Sequence, residues 1–331
     1  MCPADANTTA DHSLLADLTE PQRQAVICTE GPLLVLAAAG SGKTRVITRR
    51  AAYLVSELGV DPASVLSITF TNKAAGEMAE RVAGLIPPRA ARAMTLSTFH
   101  ALCARLLREY ADPAGVGVDF VIYDSADQKR AIKKAFEELD LSSKHFTPDA
   151  IASAISSAKN ELLSADEYER EATDFYSRTV AKVYSRYQQI LKRSNALDFD
   201  DLLLKTARLL RHHEPTRTAL QDRYQYIQID EYQDTNHAQF LIAHALTGPG
   251  GNLCAVGDPD QSIYAWRGAD INNILEFEQH YTGAKVIKLG ENYRSTPQVL
   301  AAADRLIQHN RRRRHKPLFT RNNEGRPVSV V

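Results

Sequence analysis

LLVLAAAGSGKT, residues 33–44, is the stretch on which the fold turns. Four large apolar residues, Leu33 to Leu36, read as a buried strand. Small residues follow in a loop, and a helix opens at Lys43. A strand, a glycine-bearing loop and a helix N-terminus in this order form a phosphate cradle. Loop N–H groups and the unpaired donors of the first helical turn face an anion, and Lys43 adds a point charge. The backbone of Ala39, Gly40, Ser41 and Gly42 lines the cradle, and the Thr44 hydroxyl is the expected Mg²⁺ ligand. The usual pattern begins with glycine, whereas Ala37 stands there, so the match is to a variant, AxxGxGKT. Ala38 fits such a loop only where its φ is negative.

Further strands alternate with helices outward from this loop. VLSITF (65–70) precedes an amphipathic helix carrying Ala74, Ala75, Met78 and Val82 on one face. MTLST (94–98) precedes a helix with Phe99, Leu102, Cys103, Leu106 and Tyr110 at helical spacing. Strand signals return at YQYIQID (224–230), NLCAVGD (252–258) and AKVIKLG (284–290). This alternation predicts an α/β fold with a parallel sheet, a P-loop NTPase domain. Between about 111 and 195 the pattern becomes helical (125–139, 148–159 and 174–193), with one short strand candidate at 120–123. The chain therefore divides into a tail (1–12), a discontinuous α/β domain (13–110 and 196–290), a helical insertion (111–195) and a C-terminal segment (291–331). That last segment holds a helix near 297–309, a basic run RRRRHK (311–316) and a strand-like GRPVSVV (325–331) with no partner after it, which reads as a chain stopping within a pattern.

Composition sets wide limits. The 331 residues suffice for two domains, and 44% hydrophobic with 24% charged residues is ordinary for a soluble globular chain. Lys plus Arg and Asp plus Glu both total 40, so net charge argues neither for nor against nucleic acid. Four cysteines stand far apart with no metal spacing, which points to a reduced, cytoplasmic compartment. No apolar run approaches membrane-spanning length.

Two more segments carry chemistry. The apolar strand YQYIQID delivers Asp230 and Glu231 to a carboxyl edge, where open α/β sheets bind ligands. Asp230 is suited to holding Mg²⁺ and Glu231 to orienting and deprotonating a water. In AVGDPDQSIYAWRGAD (255–270), Gln261 lies within reach of a γ-phosphate. Tyr264, Trp266 and Arg267 follow it. Taken alone, the two rings fit a core; their place behind a nucleotide-sensing segment favours stacking on unpaired bases.

With these motifs the chain resembles superfamily 1A DNA helicases, the UvrD/Rep/PcrA group. The resemblance runs from about Leu18 onward through LTEPQRQAV, AAAGSGKTR, ITFTNKAA, TLSTFHAL, LDFDDL, IDEYQDT, GDPDQSIYAWRGA and ENYRS, in family order. It implies a RecA-like domain (1A), a helical 1B insertion, and the start of a second RecA-like domain (2A) from 291. It implies that Gln22 reads the adenine edge, that Arg45 and Tyr293 sandwich the base, and that Arg294 reaches the γ-phosphate as an arginine finger. Phe70, Asn72, Phe99, His100 and Phe199 are placed along a DNA track. Lys159 and Asn160 fit either a DNA-holding surface or a solvated helix face, and Arg311 to Arg314 fit an exposed linker better than a phosphate clamp.

The implied activity is ATP-dependent 3′→5′ movement on single-stranded DNA, with ATP and Mg²⁺ as cofactors. Single-stranded DNA, strand junctions and repair or replication proteins are the implied partners. The family's remaining second domain and its 2B subdomain are not among these 331 residues. Two other readings compete: a naturally short, ATP-responsive module that binds single-stranded DNA without helicase activity, and a P-loop ATPase of another kind.

Overall fold

The computed structural model describes residues 14–141 and 146–329; the 1–12 tail lies outside them. Among these residues a six-stranded sheet forms from β1 (Leu33–Ala37), β2 (Val65–Thr69), β3 (Thr95–Thr98), β6 (Tyr226–Ile229), β7 (Asn252–Gly257) and β8 (Lys285–Leu289). All its pairings are parallel, in the order β3-β2-β6-β7-β1-β8. β4 (Val121–Tyr123) and β5 (Ala196–Asp198) make a separate two-stranded parallel ribbon. The parallel α/β expectation is therefore met.

β1 is buried at every position, as suits a central strand covered on both faces. Leu33, Val35 and Ala37 pack with Val46, Ile47, Cys254 and Val256 in one core cluster. Val65 packs with Ala51, Leu54, Val82 and Met94 in another. Buried Arg50 donates to the carbonyls of Ala25 (3.0 Å) and Thr29 (3.3 Å). It thus ties the C-terminal end of helix Glu20–Ile27, which carries Gln22, to helix Lys43–Ser56 behind the phosphate loop.

Two compact units are distinguished. One comprises residues up to 98, 220–235 and 247 onward, and holds the six-stranded sheet. The other comprises 99–219 and 236–246, so the contact boundary falls after Thr98 rather than near 110, and Phe99–Glu109 and Phe199–His212 group with the helical unit. That unit's core gathers Ile132, Phe136, Ile151, Ile155, Val180, Tyr184 and Tyr187 from three helices, Ser125–Glu138, Pro148–Asn160 and Phe175–Arg193.

Three expectations change. GRPVSVV is no strand over 325–329, and its last two residues lie outside the described ones. A β-like composition gives a strand only where a partner edge accepts its hydrogen bonds. Lys159 is neither a DNA-facing nor a solvated side chain: it is fully buried, 2.7 Å from Asp198 and 2.8 Å from Asp201. The arginine run is an exposed linker only in part: Arg311 and Arg312 are exposed, whereas Arg313 and Arg314 are partly buried. Arg312 bonds Asn272, Arg313 meets Asp260 at 3.1 Å and Arg314 meets Glu278 at 2.6 Å, because acidic and amide groups remote in sequence lie beneath them.

Candidate nucleotide site and nucleic-acid interface

The carboxyl ends of β1, β6 and β7, adjacent in the sheet, bring three motifs together. After β1 the chain turns through Gly40 (φ +68°) and Gly42 (φ +88°) into helix Lys43–Ser56. Both glycines are required twice over, by positive φ and by space. A Cβ on Gly40 would lie 2.7 Å from Asn292 Nδ2, and one on Gly42 would lie 2.9 Å from Gln22 Nε2. Positive φ at non-glycine residues occurs, among those described, at Asp140, Leu162, Asn195 and Glu231, so Ala38 keeps the negative φ its place demands. Ser41 is buried, with its hydroxyl bonded to the Ala38 carbonyl at 2.7 Å; Ala39 is exposed at the loop's tip.

Lys43 Nζ points across the sheet's edge to Glu231 Oε2 at 2.6 Å and to Gln261 Oε1 at 3.5 Å. Glu231 follows β6 in a left-handed conformation (φ +51°), a strain that turns its carboxylate toward the loop. Asp230 is buried, and burial together with the Glu231 charge pushes its carboxyl up to about 6. Asp234, four residues on, is also raised to about 6 by burial and by Glu231. Gln233 organises this corner, donating to Glu231 (3.0 Å) and Asp234 (3.1 Å) and accepting from the Asp258 N–H (2.9 Å). Gln261, after β7, donates to Asp258 at 2.5 Å.

The segment after β8 closes onto the loop. The Tyr293 N–H donates to the Gly40 carbonyl (3.0 Å), and Asn292 Nδ2 donates to the Ala39 carbonyl (2.6 Å). Arg294 is exposed, with its Cβ beside Gly40. Tyr293 is 45% exposed, leaving ring area for a base. Gln22 lies buried under the loop, donating to the Ser41 carbonyl at 2.9 Å and accepting from the Thr19 N–H at 3.2 Å. Arg45 is turned to Asp17, whose backbone carbonyl it meets at 2.9 Å.

The donor set fits a Mg²⁺–nucleotide. Thr44 is only partly buried beside Lys43, and an acid held up near 6 beside a second carboxylate is a site short of positive charge. No group of three or more His, Cys, Asp or Glu side chains placed to hold a metal ion occurs among the described residues.

The residues expected to face DNA part company. In the sheet unit, Trp266 is 73% and Tyr264 37% exposed, with ring centroids 6.3 Å apart. Arg267 closes their turn, and its side chain lies outside what is described. Phe70 is half-buried after β2, and Asn72 is exposed in the first turn of helix Asn72–Ala83. In the helical unit, Phe99 is a core side chain, 1% exposed. His100 and Phe199 meet edge to face at 5.7 Å, with Phe199 about half exposed. Burial lowers the His100 pKa.

A model of the UvrD/REP helicase N-terminal domain matches residues 18–282. The chain belongs to that family. It is 49% identical over 314 residues to the ATP-dependent DNA helicase PcrA of Staphylococcus epidermidis, covering 95% of this chain and 43% of that protein. Against the protein of the same name from Staphylococcus aureus, identity is 49% over 317 residues, 96% of this chain and again 43% of the relative. The chain thus spans less than half the length of these curated relatives.

Asn292, Gln233 and Lys316 escaped the sequence reading. Asn292 lies inside ENYRS and Gln233 inside EYQDT, yet nothing local marks the one as bonding Ala39, 253 residues away, or the other as bonding the Asp258 N–H, 25 residues away. Among the described residues no helix is long and apolar enough to cross a membrane.

Proposed function

We propose that this chain forms the ATP-binding part of an ATP-dependent DNA helicase, one that couples hydrolysis to 3′→5′ movement on single-stranded DNA. The observation that carries the reading is the meeting of Lys43 with both Glu231 and Gln261 at adjacent strand ends. Glu231 occupies, as an anion, the place a phosphate takes. When a nucleoside triphosphate gives Lys43 its oxygens, Glu231 is released to accept a proton from the attacking water, and Gln261 lies beside the γ-phosphate. The Thr44 hydroxyl and Asp230 would hold Mg²⁺, which would supply neutralisation of developing phosphate charge.

Tyr293 and Arg45 flank the base, which requires Arg45 to leave Asp17, and Arg294 approaches the γ-phosphate from the far side. Gln22 reads the adenine edge while bracing the loop. In the sheet unit Trp266 and Tyr264, with Phe70 and Asn72, contact DNA; in the helical unit His100 and Phe199 do. The sheet unit corresponds to 1A, the helical unit to 1B, and residues from 291 to the start of 2A. The compartment is the cytoplasm, in keeping with Cys28, Cys103 and Cys254 as buried thiols. Strand junctions and repair or replication proteins are the further partners.

Phosphate release from Mg²⁺–ATP by the purified chain, with and without a single-stranded oligonucleotide, tests the reading. Slow turnover that rises with DNA, and that Trp266→Ala blunts by about the 1–3 kcal/mol of one stacked base, is expected. Absence of Mg²⁺-dependent nucleotide binding would overturn it. DNA binding that responds to ATP without turnover would favour the ATP-responsive binding module instead.

A further inference from the structure

The segment from Arg312 to Thr320 grips both sides of the nucleotide site. At one end, Lys316 is buried, and its Nζ donates to Asp258 Oδ1 (2.5 Å) and to Asp260 Oδ2 (2.6 Å). Arg313 adds a second contact to Asp260 at 3.1 Å. Asp258 spends its other oxygen, Oδ2, on Gln261 Nε2. Three residues beyond Lys316, the Phe319 N–H donates to the Gly290 carbonyl (3.1 Å) and its carbonyl accepts from Asn292 (2.7 Å). Thr320 Oγ1 bonds the Asn292 carbonyl at 2.6 Å, and Asn292 holds the phosphate loop at Ala39. Gly290 permits this approach, since a Cβ there would stand 2.4 Å from the Pro317 carbonyl oxygen.

We propose that Lys316 is a positioning residue for Gln261, acting through Asp258. A carboxylate only accepts hydrogen bonds, so a charged Asp258 fixes which end of the Gln261 amide turns toward it. Nε2 faces Asp258, and Oε1 faces Lys43 and the phosphate cleft. Lys316 holds the Asp258 carboxylate in place through its 2.5 Å contact to Oδ1. The strap thereby joins the γ-phosphate side of the site to the phosphate loop through Phe319, Thr320 and Asn292, which bonds Ala39. It follows that movement of the chain around 312–320 is felt at Gln261.

This inference rests on the reading of Gln261 as a γ-phosphate contact, and the experiment separates the two. The full chain is titrated in Mg²⁺ with fluorescent ADP and with a fluorescent non-hydrolysable ATP analogue, and the ratio of the two affinities is measured. Lys316→Met is expected to keep ADP affinity and to lose about tenfold of the preference for triphosphate, the size of one charge-assisted hydrogen bond. Lys316→Arg restores the preference. Gln261→Ala loses it to the same extent, and the double variant is no worse than Gln261→Ala alone, because both act on one contact. Additive losses, or a wild-type ratio in Lys316→Met beside a lowered one in Gln261→Ala, would overturn the strap's role. A wild-type ratio in Gln261→Ala would instead break the reading of the site itself. Should Lys316→Met lose its fold, Asp258→Asn takes its place: the inference requires the same loss of preference and is overturned by a wild-type ratio.

Discussion

Each unit contains a lysine closed against carboxylates, and the two are built for opposite ends. Lys43 meets Glu231 at 2.6 Å with side-chain exposures of 11% and 36%. Lys159 meets Asp198 and Asp201 at 2.7 and 2.8 Å with every partner at 2% or less. Around Lys159 both carboxylates have further partners. Tyr187 donates its hydroxyl to Asp198 (2.7 Å), Gln188 donates to Asp201 (3.1 Å), and the rings of Tyr184 and Tyr187 stand 5.7 and 5.0 Å from the ammonium. Around Lys43, among the described residues, stand Gln261 at 3.5 Å and, on Glu231, Gln233 at 3.0 Å, and Glu231 sits on strained backbone. An open pair contributes ~1 kcal/mol or less and exchanges readily for a better anion, whereas a buried one is costly to break. The same chemistry thus gives a replaceable contact at the sheet edge and a permanent one in the helical core.

The sharpest way to break this comparison is at the replaceable pair. Glu231→Gln should lower the rate of ATP turnover by roughly 10²–10⁴-fold, the range of a general base, while nucleotide binding persists because Lys43 is freed. Lys43→Ala should instead lose nucleotide binding. Equilibrium titration beside single-turnover kinetics checks both, and equal loss of binding in the two variants would make Glu231 structural.

At the permanent pair the effect should appear in stability. Lys159→Met strands two buried carboxylates and is expected to cost about 3–5 kcal/mol in urea denaturation. A loss below ~1 kcal/mol would show that the cluster is as open as the pair at Lys43.

The smallest effect concerns Asp200, which burial and the neighbouring Asp198 charge raise from 3.8 to about 6. The native chain keeps a proton that the unfolded chain gives up at lower pH. Stability from this group is therefore present in acid and lost as pH rises from about 4 through 6. Asp200→Asn should remove that slope, so that the variant gains on the wild type between pH 5 and 7.5. Denaturation midpoints at the two pH values check it, and parallel curves would refute it.

Wherever one residue type carried its own local physics, the sequence was readable. β1 is uniformly apolar, β2 and β7 are largely apolar and buried, and all three fold as read. Helix Ala165–Glu171 buries nothing, so periodicity misses it, although Ser164 and Glu167 form the capping box that marks its start. β5 is three residues, Ala196 to Asp198, that overlap only the start of LDFDDL, and it becomes a strand only because β4 lies beside it. The Arg311–Arg314 run and Lys159 look alike in the sequence as surface charge. Their acids lie tens of residues away, and charge alone does not say whether an acid waits beneath.

By itself the sequence determined the parallel α/β architecture, the phosphate loop, the acid pair after β6 and the family. These depend on local order: apolar runs, glycines at positive φ, and side chains a fixed few residues from a strand end. Only the tertiary structure decided that Lys43 rests on Glu231, that Asn292 and Gln22 brace the loop, that Phe99 is core while Trp266 is surface, and that Lys316 reaches Gln261 through Asp258. Those contacts join residues that the strand order, not the chain order, makes neighbours. Burial and hydrogen-bond partners are properties of that arrangement, and no single stretch of sequence carries them.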